Sequence, residues 1–217
     1  MIYPTQLFVG KVRALPVSGR PSGIYKEPVL GTAEISWEGF VDDEQADRRV
    51  HGGPDKAIHQ FPASHYAALA ARFPDVAHLL VPGSMGENIS CELTEADVRV
   101  GDIWQFGTAQ LQVCQPRKPC WKIDERFAQD GMAVYIDETG LTGWYWRVLQ
   151  TGHAVSGETL NLVTRQQDAP TLHEAMTLCA AHRPDIEKLR ALSLMPELAE
   201  NWREKMRQRI EWLEKNT

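Results

Sequence analysis

No Cys-x-x-Cys pair, no GxGxxG turn, no internal repeat and no apolar run of membrane-spanning length occurs in the 217 residues, and each absence removes a class of protein. The four cysteines, Cys91, Cys114, Cys120 and Cys179, are irregularly spaced. Neither a disulfide framework nor a zinc finger is therefore expected, and each thiol needs its own explanation. Without GxGxxG after any strand there is no flavin or nicotinamide fingerprint, and without GxxxxGK[ST] there is no Walker loop. The opening stretch, Met1-Ile2-Tyr3-Pro4-Thr5-Gln6, has neither the cationic segment nor the apolar core of a signal peptide, so a cytoplasmic protein without membrane contact is expected. A formal net charge of −6 argues against nucleic acid as a partner, and any basic site must be local. The chain is long enough to bury a core without staples.

What is present is rich in strand signals. Residues 7–14 read as a first strand, 16–23 as a turn-rich loop carrying Arg20 and Ser22, and 29–37 with Phe40-Val41 as short turn-bounded strands. Residues 57–61 read as another strand, after which Pro62 opens a helix to Arg72; His65 and His78 fit surface or capping positions. Alternation across 98–107, centred on Gly101-Asp102, predicts a β-hairpin whose strands continue to Cys114. Residues 123–129 suggest a brief helix, 132–136 fit neither period, and 154–163, turning at Gly157-Glu158, supply the last strand. Regular helices between strands, the mark of βαβ units, are missing.

Composition changes after Arg165. Thr171 and Glu174 form a capping box, Pro184 opens a second helix, and Pro196 a third in which Leu198, Trp202, Met206, Ile210 and Leu213 recur at helical spacing. The expected organisation is a β domain over 1–165 and a three-helix domain over 166–217. Intramolecular packing is the expected use of the apolar stripe, with homodimerisation, covering of a pocket and docking of a partner protein left open.

Reactive groups concentrate in Gln115-Pro116-Arg117-Lys118-Pro119-Cys120. Each proline fixes its own φ and steers the residue before it away from helix, so Cys120 sits on a stiff, electropositive loop. A thiolate there would serve as nucleophile or metal ligand; the alternative is a small buried hydrophobe beside Trp121 and Ile123. A second dense stretch is His51-Gly52-Gly53-Pro54-Asp55-Lys56-Ala57. Paired glycines permit close approach of a ligand, and amides beside His51 and Lys56 suit an anion, although a solvated hairpin turn reads equally well. Gly86-Glu87-Asn88-Ile89 marks a third loop, where Asn88 can meet a ligand or cap the turn. In Trp144-Tyr145-Trp146-Arg147 the aromatics read as core and Arg147 as the candidate functional group.

Together, the stretches 51–57, 86–89 and 113–120 resemble the MOSC domain family, the module that binds the molybdenum cofactor, and most closely its YiiM-like branch, whose C-terminal three-helix domain matches the tail here. The resemblance covers nearly the whole chain. It implies a mostly β, barrel-like fold with a few peripheral helices, plus the small helical domain. It further implies a molybdenum–molybdopterin cofactor (Moco) with the Cys120 thiolate ligating the metal, and reduction of N-hydroxylated compounds such as 6-hydroxylaminopurine to amines. With no redox-cofactor motif of its own, such a reductase needs a separate electron-donor protein of flavin or iron–sulfur type. Arg20, Ser22, Gly52, Gly53, Lys56, Asn88, Arg117 and Arg147 are the residues assigned to the cofactor's phosphate and pterin, with His51 as an orienting or proton-shuttling group. An arginine that some members carry near the position of Gly86 is absent, which leaves part of the phosphate clamp unassigned. His59 receives no role.

Two other functions fit the same residues. One is a non-redox carrier holding the cofactor, or a persulfide on Cys120, for delivery elsewhere; titration with an electron donor separates it from a reductase. The other is a metal-free cysteine enzyme with His51 as base, which ranks last because no acid that would orient the histidine is identifiable.

Overall fold

The computed structural model describes residues 3–216; Met1, Ile2 and Thr217 lie outside the described residues. The strands are β1 Gln6–Val9, β2 Arg13–Ala14, β3 Pro21–Ser22, β4 Glu27–Pro28, β5 Thr32–Ser36, β6 Gly39–Phe40, β7 Ile58–Pro62, β8 Ile89–Cys91, β9 Ile103–Phe106, β10 Ala109–Pro116, β11 Trp144–Gln150, β12 Gly152–Val155 and β13 Leu160–Thr164. Helices are α1 Arg48–His51, α2 His65–Arg72, α3 Lys122–Phe127, α4 Met132–Thr139, α5 Leu172–Ala180, α6 Ile186–Ser193 and α7 Glu200–Lys215.

Eight strands form the main sheet in the order β13-β9-β10-β11-β7-β8-β1-β4, antiparallel except for the β7–β8 pair. The segment before β13 reaches across to the start of β1, one strand in from the far edge, where Thr5 N donates to Glu158 O at 3.0 Å and Gly157 N to Thr5 O at 2.7 Å, so the sheet curls into a half-barrel. The fold is thus mostly sheet, as the strand signals and the resemblance imply. All five residues of β7 are buried, and Trp144, Trp146 and Val148 of β11 alternate into the core, where the Trp104 and Trp146 rings meet edge to face at 6.4 Å.

The helical tail shares this core. Leu172, Leu189, Leu192, Leu198, Met206, Ile210 and Leu213 join the same buried cluster as the barrel tryptophans. The apolar stripe of α7 is therefore spent inside the chain, and Ala199 N ties the entry of that helix to Cys114 O at 3.0 Å. The capping box at the start of α5 forms as its spacing predicts, with Glu174 N donating to Thr171 Oγ1 at 3.1 Å and Thr171 N to Glu174 Oε2 at 2.8 Å.

Several strand expectations need correction. The first strand stops at Val9, because Gly10 N and Val12 N turn to the carboxylates of Asp43 (2.7 Å) and Glu44 (2.9 Å) instead of a neighbouring strand. No hairpin turns at Gly101-Asp102. Buried Asp102 instead gathers Arg99 N at 2.8 Å, Gln166 N at 2.9 Å and Arg165 Nη1 at 2.9 Å, and the real turn falls at Gly107-Thr108 between β9 and β10. Residues 154–163 split between two sheets as β12 and β13, and 132–136 belong to α4. His65 is neither surface nor cap; it is buried, with Nε2 2.8 Å from Glu95 Oε2.

Candidate functional site

Four loops converge over one face of the half-barrel: residues 22–26, 43–56, 85–88 and 117–122. His59 from β7 and Tyr145 from β11 form the floor between them. The resulting cleft spans about 680 Å³, part of it open to solvent.

The Cys120 loop is aimed by a β-bulge. Register between β10 and β11 shifts between Val113 and Gln115, leaving Cys114 unmatched, and the bent strand delivers its end to the cleft. Arg117 N then donates to Gly143 O at 3.0 Å, and Ile123 N to Cys120 O at 3.0 Å, which pins both ends of the loop. Gly143 has φ of +70°, and an added Cβ would lie 2.1 Å from Gln60 O. Gly143→Ala is therefore expected to cost at least about 2 kcal/mol in urea unfolding, because both the backbone conformation and the space resist it. An unchanged midpoint would contradict the stated packing.

Among the four thiols, Cys120 alone lines the cleft, half-exposed. Burial pushes the thiols of Cys91 and Cys179 up to about 11, and that of Cys114 further still. Cys91 and Cys114 are neutral buried groups, and Cys179 is a neutral, partly buried group packed against the core.

Charge in the cleft is one-sided. Lys26, Lys56, Arg117, Lys118 and Lys122 line it against the carboxylates of Asp43 and Glu44. Lys26 is consumed by a buried ion pair with Asp43, and Lys118 pairs with Asp137 at the rim. Lys56 and Lys122 have only carbonyl partners, Val50 O and Pro21 O. Arg117 is 8% exposed; its Nη2 reaches Met85 O at 3.3 Å, whereas Nη1 is buried with no protein partner. A buried guanidinium N–H aimed into a cationic cleft calls for an anionic or strongly accepting ligand.

The glycine-bearing loops hold these groups in place. Asp47 caps α1, with Arg49 N donating to its side chain at 3.1 Å, and Gly53 leaves that short helix at φ +89° with open space where a Cβ would stand. His51 and Lys56 line the cleft, whereas Gly52 and Gly53, assigned to the cofactor by sequence, do not. In the 83–88 loop, buried Glu87 accepts from Gly83 N (2.6 Å), Met85 N (3.1 Å) and Tyr66 OH. Burial holds its carboxyl above the usual range.

Burial, then the charges of Lys122, Lys56 and Arg117, hold His51 below its ordinary value; burial and then Arg117 hold His59 well below. Both rings are neutral at pH 7. The unfolded chain takes up these protons near pH 6.5 while the folded protein resists, so stability present above that pH is lost as pH falls through the folded values. Denaturant midpoints should drop between pH 7 and pH 5, and the drop should shrink in His59→Phe. An identical slope in the variant would refute the His59 contribution.

The other residues singled out by sequence divide sharply. Ser22 lines the cleft, although Ile24 N already donates to its hydroxyl at 3.3 Å. Asn88 also lines it, yet its amide braces two strands, accepting from His59 N at 3.0 Å and donating to Phe8 O at 3.2 Å. Arg20 stands outside, its guanidinium 5.4 Å from the centre of the Trp121 ring. Arg147 is the clear departure: its side chain leaves the cleft for Asp55 Oδ1 (2.7 Å), Gln112 Oε1 (2.8 Å) and Glu197 O (3.2 Å). On alternating β11 it points opposite to Tyr145's neighbours in the core, and it fastens the 54–56 turn to the helical tail. Sequence reasoning missed His59, Tyr145, Lys26 and Lys122. The period of two in β7 and β11 places His59 and Tyr145 on one face, but only their pairing in register reveals that they meet.

Comparisons with known proteins bear on the family and the fold. The MOSC domain model matches residues 47–161, and the model of the YiiM-like, 3-alpha helix domain matches 170–211. The chain is 38% identical to protein YiiM of Escherichia coli K12 over 211 residues, 96% of this chain and 93% of that one. It is 34% identical over 163 residues to a protein of Gibberella moniliformis named reductase, spanning 74% of this chain but 29% of that protein. The crystal structure of E. coli YiiM superposes with a TM-score of 0.80 at 32% identity, covering 97% of this chain and 92% of the other.

Proposed function

Because the chain belongs to the MOSC-domain family, in its YiiM-like form with a three-helix C-terminal region, we propose that it is a molybdenum-cofactor-dependent reductase of N-hydroxylated compounds such as 6-hydroxylaminopurine. The observation that carries this reading is the joining, in one cleft, of a half-exposed thiol with an excess of cations and a buried, unpaired guanidinium N–H. Among the described residues no group of three or more His, Cys, Asp or Glu side chains is placed to hold a metal ion. A metal at Cys120 would therefore arrive with most of its ligands already attached, which suits a cofactor whose own sulfurs hold the metal and leave one place for a soft thiolate.

The residues present fit that group. Lys56, Lys122 and Arg117 would take the phosphate and the polar pterin edge, and Cys120 would ligate the metal. When bound, the cofactor supplies the two electrons that, with two protons, convert an N–OH group to N–H and water. Electrons come from a separate flavin- or iron–sulfur-type donor protein. His51, neutral, half-buried and lining the cleft, can relay protons, and the cleft walls seat the substrate.

Single turnover tests the reading. Protein produced in a cofactor-competent host and reduced with dithionite should convert 6-hydroxylaminopurine to adenine in proportion to its molybdenum. Metal-loaded protein that forms no adenine under these conditions would favour the carrier function instead.

A further inference from the structure

Two side chains at the bottom of the cleft present buried polar atoms that the protein does not satisfy. His59 is 5% exposed and its Nε2 has no partner; Arg117 is 8% exposed and its Nη1 has none. Native interiors rarely leave such atoms orphaned, and two on one cleft floor point to one ligand. The Tyr145 ring links them. It lies 5.3 Å from the His59 ring, and its hydroxyl interacts with Arg117.

The chemistry of the pair is asymmetric. The His59 ring lies by the backbone of Gly86 and Thr142, and its Nε2 has no partner among the described residues. With the proton of the neutral ring assigned to Nδ1, the unpartnered Nε2 is free to accept. Arg117 Nη1 can only donate.

We propose that His59 Nε2 and Arg117 Nη1 form a two-point reader on the cleft floor, accepting from and donating to adjacent atoms on the edge of a planar nitrogen heterocycle. A phosphate monoester dianion, with no proton left on oxygen, satisfies Arg117 but offers nothing to the His59 lone pair. A pterin edge, with N–H beside a carbonyl, satisfies both atoms, as does a 6-aminopurine edge, with N–H beside a ring nitrogen. Tyr145 supplies an aromatic wall for either ring. The reductase reading contributes only the choice of these two heterocycles; the reader itself stands on the unpaired atoms.

Metal-free protein allows a direct test by calorimetric titration with adenine, 6-dimethylaminopurine, free pterin and inorganic phosphate. Adenine or pterin should bind, and 6-dimethylaminopurine, lacking the donor, should bind at least about tenfold more weakly than adenine. His59→Phe, which keeps a flat ring, should lose about tenfold in heterocycle affinity, and His59→Gln, which restores an acceptor, should recover part of it. In the wild-type protein, the 15Nε2 resonance of His59 should move upfield on ligand addition, a readout independent of any variant's folding. Binding of pterin alone assigns the floor to the cofactor, and of adenine alone to the substrate; either supports the reader. No heterocycle binding, equal binding of both purines, or an unmoved Nε2 resonance overturns it. Failure of the reductase reading shows separately, as metal-loaded protein without turnover despite a heterocycle-binding floor.

Discussion

Replacing Cys120 by alanine is expected to lower the reduction of N-hydroxylated substrates at least about a hundredfold while leaving the unfolding midpoint nearly unchanged. The two halves of that result rest on different observations. Loss of activity follows because Cys120 is the one cleft-lining thiol and no alternative protein cluster is available among the described residues. Stability is spared because its side chain is half-exposed and its backbone does the structural work, accepting from Ile123 N at 3.0 Å. Cys179→Ala serves as the counterpart, since burial keeps that thiol protonated and it does not line the cleft; it should leave activity within about twofold. Steady-state assay and urea titration of the two variants check both halves. Equal losses in both would remove Cys120 from the reaction.

Arg117→Met should have effects of opposite sign on stability and on function. In the metal-free protein the guanidinium is buried, with one nitrogen unpaired, another 3.3 Å from Met85 O, and the Tyr145 hydroxyl and the buried Glu87 carboxyl as its polar neighbours. Exchanging it for an apolar side chain of similar length removes an incompletely compensated charge, and stability of the metal-free form should stay level or rise by about 1–2 kcal/mol. The same change deprives an anionic ligand of a charge-assisted hydrogen bond, so retained cofactor should fall at least about tenfold. Thermal unfolding of metal-free protein, beside metal content after purification, separates these terms. A variant that unfolds much more easily and still retains its cofactor would show that Arg117 supports the fold through Tyr145 and Glu87 instead.

Much of the fold could be read from local pattern. Capping at Thr171 and Glu174, the apolar spacing of Met206, Ile210 and Leu213, and the existence of β7 and β10 are set by neighbours in sequence, although Pro62 closes β7 where it reads as opening a helix, and β10 runs on to Pro116. The false hairpin at Gly101-Asp102 shows the limit. A Gly-Asp pair fits a turn locally, yet the Asp102 carboxylate is taken by Arg165 and Gln166, more than sixty residues away. The first strand fails for the same reason, since Asp43 and Glu44 claim the amides that would have extended it.

The candidate site was legible where it lies on loops punctuated by glycine and proline. His51, Lys56, Arg117 and Cys120 occupy such loops, and all four line one cleft. Side chains on strands were harder. Arg147 and Tyr145 are two apart on β11, and nothing in an aromatic run says which side faces the cleft. His59 lies in a strand that reads as core and is indeed buried, but burial alone does not distinguish a filler from a ligand-facing group. What distinguishes it is the unpaired Nε2, a property of its surroundings.

The most direct test of the account is a molybdenum count. Wild-type protein and Cys120→Ala, both produced in a cofactor-competent host, should be compared by metal analysis and assayed on 6-hydroxylaminopurine. The account predicts about one molybdenum per chain and turnover in the wild type, with turnover lost in the variant. Wild-type protein without molybdenum would contradict it, leaving the cleft as a cationic binding site on a MOSC fold; a fully active variant would show that the metal is held by another group.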